Sequence, residues 1–171
     1  MRSLWTAMRA LVYMSLFVWL WGWVALSLRP WDGRLGGALG PWAVPLGWAA
    51  IAVGAALAAS CAWVFILRGQ GTPAPFDAPR RVVAAGPYRF VRNPMYLGGF
   101  LVLTGFGLVE RSGAIVIFSA LWLLVVHLAV VFLEEPDLRR KFGSSYEDYR
   151  RAVPRWLPRR PAREATTPTA P

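Results

Sequence analysis

Two adjacent carboxylates, Glu134 and Glu135, close one long apolar run, and the polar stretch "GPYRFVRNPMYLG", residues 86–98, opens another. In that stretch Asn93 is a favoured N-cap and Pro94 a favoured first helical residue, so a helix starts there. The amino end of a helix carries unpaired N–H groups and a partial positive charge. Such an end accepts a carboxylate or another anionic group. Tyr88 and Tyr96 flank it and offer ring faces and hydroxyl donors. Glu134 and Glu135 pose the opposite question. At a helix carboxyl end a negative charge opposes the dipole by ~0.3–1 kcal/mol, and neighbouring carboxylates repel. Two readings stand: Glu135 pairs with Arg139 four residues on, in the favourable order, or the two carboxylates await a cation. His127 lies seven residues before Glu134. An unbroken α-helix puts both on one face, ~10 Å apart along the axis. An ionisable side chain inside an apolar run is a candidate for function, here a ligand contact or a proton acceptor. Its bland alternative is a hydrogen bond to a neighbour in a bundle.

The elements that must position these residues are membrane spans. The chain has 171 residues, is 56% hydrophobic and contains ten tryptophans. Its mean hydropathy is +0.41. A soluble domain of this length is rarely so apolar, and about 20 apolar residues cross a bilayer core. The runs 10–28, 41–67 and 113–133 meet that length. The run 95–109 is shorter, ~22 Å as a helix; it is expected to cross because Asn93 and Pro94 start it in the headgroup region, the alternative being a re-entrant segment. The predicted fold is therefore an all-α integral membrane protein of about four transmembrane helices, with short C-terminal helices on the cytoplasmic side. The first run follows Arg2 and Arg9 but is too long for a signal-peptide core and lacks a clean cleavage site, so it reads as a retained anchor.

The formal net charge is +10. With four spans, all of the 19 basic residues except Arg29, Arg34 and Arg111 fall on one side. The positive-inside rule then places both termini, the second loop and the site in the cytoplasm. That asymmetry explains the charge without nucleic acid, and it suits contact with anionic headgroups. Cys61, the sole cysteine, sits in an apolar run, and one thiol with one distant histidine makes no zinc site. The small residues of the second run suit close packing on the first. Gly98 and Gly105, seven apart, share a face of the third run and suit either packing on the fourth or room for a flat ligand. "ERSG" joins the third and fourth runs as a tight hairpin. Past the fourth, Pro136 is expected to open a new helix and Gly143 to stop it. Ser144 and Glu147 match a capping box that starts a second. Three segments result: a two-span hairpin with its loop (1–79), a region carrying the polar motifs (80–158), and a disordered tail (159–171).

The hairpin makes the start of the third helix and the end of the fourth neighbours. A ligand bearing both a carboxylate and a cationic centre would suit the pair, and S-adenosylmethionine is such a molecule. "GPYRFVRNPMYLG", "EEPDL" and "FGSSYEDYRRAVPRWLP", in that order and with a span-length gap between the first two, resemble the membrane methyltransferase superfamily. That superfamily contains the isoprenylcysteine carboxyl methyltransferases and the phospholipid N-methyltransferases. The resemblance implies S-adenosylmethionine as cofactor, held by Arg92, Asn93, Pro94, Met95 and Tyr96 with Glu134 and Glu135. It adds Val83, Gly86 and Tyr88 from the preceding loop, with Gly98 one turn into the helix. The acceptor is expected to be a lipid or lipophilic small molecule, and no metal is expected. A carboxylate acceptor needs no base; an amine acceptor must first lose a proton, and Glu134, Glu135 and His127 are the candidate catalytic residues near enough to take it. Oligomeric state is not legible. A non-catalytic membrane scaffold or lipid-binding protein on the same fold is the alternative. Two departures bear on the acceptor. Asn93 stands where the family usually has histidine, and in this the stretch is similar to the phosphatidylethanolamine N-methyltransferases. The arginine expected one turn before the glutamates in carboxyl methylators is replaced by Val130 and Val131, leaving Arg150 or Arg155 to bind such a substrate.

Overall fold

The computed structural model describes residues 2–35, 37–68 and 84–159, so Val83, most of the second loop and all but Arg159 of the tail expected to be disordered lie outside the described residues. The regular secondary structure of the described residues is helical, apart from one bridge between Ala38 and Ser112. Four long helices dominate: α1 (Arg2–Ser27), α3 (Ala43–Arg68), α4 (Pro94–Val109) and α5 (Gly113–Ala129). The single turn α2 (Asp32–Leu35) lies in the first loop. Two shorter helices end the fold, α6 (Glu135–Phe142) and α7 (Ser144–Ala152). Two of these segments, Ala43–Val64 and Gly113–Phe142, are long and apolar enough to cross a membrane, and Pro94–Val109 is shorter. Large apolar side chains face outward along the bundle, among them Trp19, Trp23, Trp48, Trp63 and Val125. An exposed apolar surface of that extent marks a membrane or partner contact.

Glycine decides which helices touch. A Cβ at Gly54 would lie 2.6 Å from the Gly98 carbonyl oxygen, and one at Gly105 would lie 2.6 Å from that of Gly47. Two pairs, each seven residues apart, therefore zip α3 and α4 together antiparallel at backbone contact, the close approach that small residues allow in lipid. This corrects two expectations. The small residues of the second run pack on the third, not the first. Gly98 and Gly105 face α3, not α5, and leave no room for a flat ligand. Gly107 instead meets Ile115 and Val116 of α5. Helix α1 joins through Ala25 and Trp21, which pack with Ile115, Phe118 and Trp122.

At one end of the bundle the first loop is stitched to the α4–α5 hairpin. The Asp32 carboxylate accepts from Ser112 Oγ (2.7 Å) and from Ala114 N (2.9 Å), placing an anion at the amino end of α5. Ser112 caps the same helix by accepting from Ile115 N. Arg29 and Glu110 add an ion pair there (2.9 Å), and a second group of charged residues gathers at the other end.

That other end departs from expectation. Helix α5 does not stop near Leu133. It passes through a π-turn, Val130–Glu134, directly into α6, giving 30 continuous residues from Gly113 to Phe142. The Glu135 N–H bonds the Val130 carbonyl oxygen, five residues back. Pro136 has no N–H, and its ring would clash with the carbonyl of Phe132 in a regular α-helix. The wider π-turn spans Phe132 and gives that ring space, so Pro136 continues the helix it was expected to start. Gly143, at φ +52°, then breaks the chain direction between α6 and α7. The expected capping box is not formed: Gly143 precedes α7 without a side-chain cap, and Glu147 pairs with Arg139 and Arg150.

Candidate functional site

Helix α4 starts where Asn93 and Pro94 predict. The Asn93 side chain does not cap it; its Nδ2 donates instead to the Arg155 carbonyl oxygen (3.3 Å). The first-turn N–H groups, which have no partner within the helix, keep no side-chain cap. Pro94 is fully buried beneath them.

Beside this helix end lies a buried charge cluster. Arg92 Nη1 is 3.0 Å from Glu135 Oε1, with the two side chains only 9% and 4% exposed. Arg92 Nη1 also donates to the Tyr146 hydroxyl (3.2 Å). Arg155 grips the same carboxylate with two bonds, Nε to Oε1 at 2.6 Å and Nη2 to Oε2 at 3.0 Å. Arg139, the sequence neighbour at i+4, is the most distant at 3.9 Å. The cation that Glu135 awaits is thus supplied by the chain itself, chiefly from residues far away in sequence. Arg155 and Arg150, expected to hold a substrate, are paired with Glu135 and Glu147. Burial, then the Glu135 charge, pushes the Tyr146 hydroxyl above its usual range. Burial likewise raises Tyr88 and Tyr149, so all three are neutral at neutral pH. The Glu135 hydrogen bond raises the Arg155 guanidinium further.

Glu134 lies apart from the arginines. It accepts a hydrogen bond from the Tyr96 hydroxyl, which links the end of the long helix to the first turn of α4. The π-turn explains the division of labour. It adds one residue to the helix, which rotates the residues beyond it by ~100°. His127 therefore aligns with Glu135 rather than with Glu134, against the expectation of an unbroken helix. His127 Nδ1 accepts from the indole N–H of Trp156 (2.8 Å), next to the arginine that binds Glu135.

Residues 153–159 form a strap over this end. Its Pro154 carbonyl accepts from Arg92 N (2.9 Å), and Arg159 N donates to the Phe90 carbonyl (3.0 Å). Helix α7 adds a bond from the Tyr149 hydroxyl to the Tyr88 carbonyl (2.8 Å). Gly86, at φ +54°, lets the loop turn; a Cβ there would also meet Val64 at 2.7 Å. Gly98 is buried against Gly54 and Ala58 and serves packing. Tyr146, Tyr149 and Trp156 complete the site without having been singled out by sequence. Their signal was the third motif, "FGSSYEDYRRAVPRWLP", in which no aromatic residue was given a role.

One atom in the cluster is unsatisfied. Arg92 Nε is buried and has no hydrogen-bond partner among the described residues. A buried unmet donor on a cation costs about 1–3 kcal/mol or more, and it is beside the uncapped amino end of α4. Both features suit an anionic group. The neighbouring Glu134 suits a cation. The donor set therefore fits a zwitterionic ligand of the amino-acid type.

Residues 42–145 match the family of phospholipid methyltransferases. The chain is 27% identical over 164 residues, 92% of its length, to methanethiol S-methyltransferase of Crocosphaera subtropica. It is 32% identical over 78 residues to the nickel-cobalt-cadmium resistance protein NccN of Alcaligenes xylosoxydans xylosoxydans, and 35% identical over 79 residues to methanethiol S-methyltransferase 2 of Bradyrhizobium diazoefficiens. These last two matches each cover 46% of the chain. The chain covers 60%, 36% and 29% of the lengths of these three relatives, in that order. No solved structure matches it.

Proposed function

The chain belongs to the phospholipid methyltransferase family, and from that premise we propose that it takes a methyl group from S-adenosylmethionine and delivers it to a lipophilic acceptor at the cytoplasmic face of a membrane. The observation that carries this reading is the meeting of the α4 amino end and the unsatisfied Arg92 Nε with Glu134 at one end of the bundle. In this reading α1, α3, α4 and the long α5–α6 helix all cross, and both termini are cytoplasmic. Residues 1–79 form a two-span hairpin, and residues 80–158 carry the site.

S-adenosylmethionine, when bound, supplies an electrophilic methyl group on a sulfonium. The chain supplies the rest. Arg92, Asn93 and the first turn of α4 take a carboxylate, and Glu134 takes an ammonium or sulfonium charge. Tyr88, Pro94, Met95 and Tyr96 border the same end. Glu135, clamped by Arg92 and Arg155, holds the arginines in place and fixes the strap to the helix. Holding an acceptor in line with the methyl group accounts for most of the rate gain in such a reaction. Water excluded by the strap favours a step in which the sulfonium charge is cancelled by a thiolate or dispersed onto an amine nitrogen.

The remaining charges select the acceptor class. Arg155 and Arg150 are engaged by glutamates, which weighs against a carboxylate acceptor and favours an amine or a thiol. Two relatives are named for methyl transfer to methanethiol, in line with a thiol. Such acceptors give up a proton before the methyl group moves; in this reading Glu134, which pairs with the Tyr96 hydroxyl rather than with an arginine, relays it to solvent and returns to the carboxylate that holds the donor's cation.

The test is methyl transfer from labelled S-adenosylmethionine by purified protein. Phosphatidylethanolamine, an alkanethiol and N-acetyl-S-farnesylcysteine serve as acceptors, with product separation. Labelled amine or thioether product supports the reading. Transfer only to the farnesylcysteine carboxylate overturns the acceptor class, and no transfer to these three or to total lipid extract overturns the function.

A further inference from the structure

His127 is the only histidine in the chain, and its ring is tied to Trp156, a residue with no role in the proposed methyl transfer. The indole N–H of Trp156 lies 2.8 Å from His127 Nδ1, with the rings 5.9 Å apart. An indole nitrogen only donates. Nδ1 must therefore carry a lone pair, which puts the ring proton on Nε2. The lone pair that would make His127 a base is spent on Trp156. Trp156 also sits within the strap, between Arg155 on Glu135 and Arg159 on Phe90. The strap is thus fixed on one side to the start of α4 through Arg92 and Asn93. On the other it is fixed to the long helix, one contact below the π-turn (His127) and one above it (Glu135).

We propose that Trp156 is a positioning residue: it uses His127 as a hydrogen-bond acceptor to anchor the strap, and so keeps Arg155 on Glu135 beside the methyl-donor site. His127 acts here as an acceptor of a hydrogen bond and takes no proton from the substrate. The link to the donor site rests on the function proposed above, whereas the anchoring of the strap does not.

Four forms of the full-length protein in detergent test this: wild type, Trp156→Phe, His127→Leu and His127→Asn. The Asn oxygen occupies the place of Nδ1 and accepts the indole bond but is no base; Leu accepts nothing. Strap anchoring is read by trypsin cleavage after Arg155, located by mass spectrometry. Cleavage should be slow in wild type and His127→Asn, and about tenfold faster in Trp156→Phe and His127→Leu, the scale of one lost hydrogen bond. Calorimetry with S-adenosylhomocysteine should rank the variants in the same order. In protein labelled with ¹⁵N-histidine, the single imidazole should show an unprotonated Nδ1 whose resonance moves in Trp156→Phe. Unchanged cleavage in Trp156→Phe, a protonated Nδ1 in wild type, or a His127→Asn protein as impaired as His127→Leu overturns the proposal. If no form, wild type included, binds S-adenosylhomocysteine, the methyl-donor reading falls, while cleavage and resonance still judge the strap.

Discussion

Replacing Glu135 by Gln removes the one carboxylate on which three arginines converge. Arg92, only 9% exposed, is then a cation without a counter-charge, a situation that costs about 3–5 kcal/mol. Arg155 and Arg139 are 28% and 44% exposed. They turn toward water, and each adds at most ~1 kcal/mol. The Gln oxygen still accepts one hydrogen bond, which offsets about 1 kcal/mol. The net loss is about 2–6 kcal/mol, which at ~2–4 °C per kcal/mol lowers Tm by roughly 4–24 °C. Thermal unfolding in detergent, followed by tryptophan emission, measures it. The companion variant Arg92→Gln also destabilises, and the double variant should be more stable than the sum of the two losses predicts, because the buried charge leaves with its partner. A Glu135→Gln protein with wild-type Tm, or strictly additive losses, would refute the view that Glu135 is first a structural counter-charge.

The same geometry sets three further outcomes. Gly54→Val drives a branched side chain into the Gly98 carbonyl, 2.6 Å from where its Cβ must sit. It should cost at least ~1–3 kcal/mol, seen as a lower Tm or loss of monodisperse protein on gel filtration. Asp32→Ala removes the acceptor for Ser112 and Ala114; it should cost about 0.5–2 kcal/mol while leaving the affinity for S-adenosylhomocysteine unchanged, since it lies at the far end of the bundle. Tyr96→Phe deletes the hydroxyl partner of Glu134; it should cost about 1.5–3 kcal/mol of stability, the range for a hydrogen bond to a charged group, seen as a lower Tm, and should weaken that ligand because Glu134 is no longer held in place.

Much of this was written in local sequence. Asn93-Pro94 marked the start of α4, and "ERSG" forced the hairpin that brings that start beside Glu134 and Glu135. What was not legible arose where a residue's partner lies far away in the chain. Gly98 and Gly105 declare a close approach but not to which helix. The partner is α3, because Gly47 and Gly54 repeat the same spacing there. Arg155 looked free for a substrate because nothing local shows that the strap folds back 20 residues onto Glu135. The π-turn was hidden for a different reason. Val130 to Glu134 has no unusual letter, and only Pro136 just beyond it signals strain that an extra residue relieves. That one residue rotated Glu134 away from His127 and separated two adjacent glutamates into different roles.

The central claim is that the amino end of α4 and Glu134 form one site for a zwitterionic methyl donor. Isothermal calorimetry of S-adenosylhomocysteine with purified, folded protein, wild type and Glu134→Gln, tests it most directly. The account predicts saturable one-to-one binding to wild type and affinity weakened by about tenfold or more in Glu134→Gln, where a cation loses its counter-charge. Absence of binding to a monodisperse wild-type protein, or equal affinity in the two proteins, would contradict it.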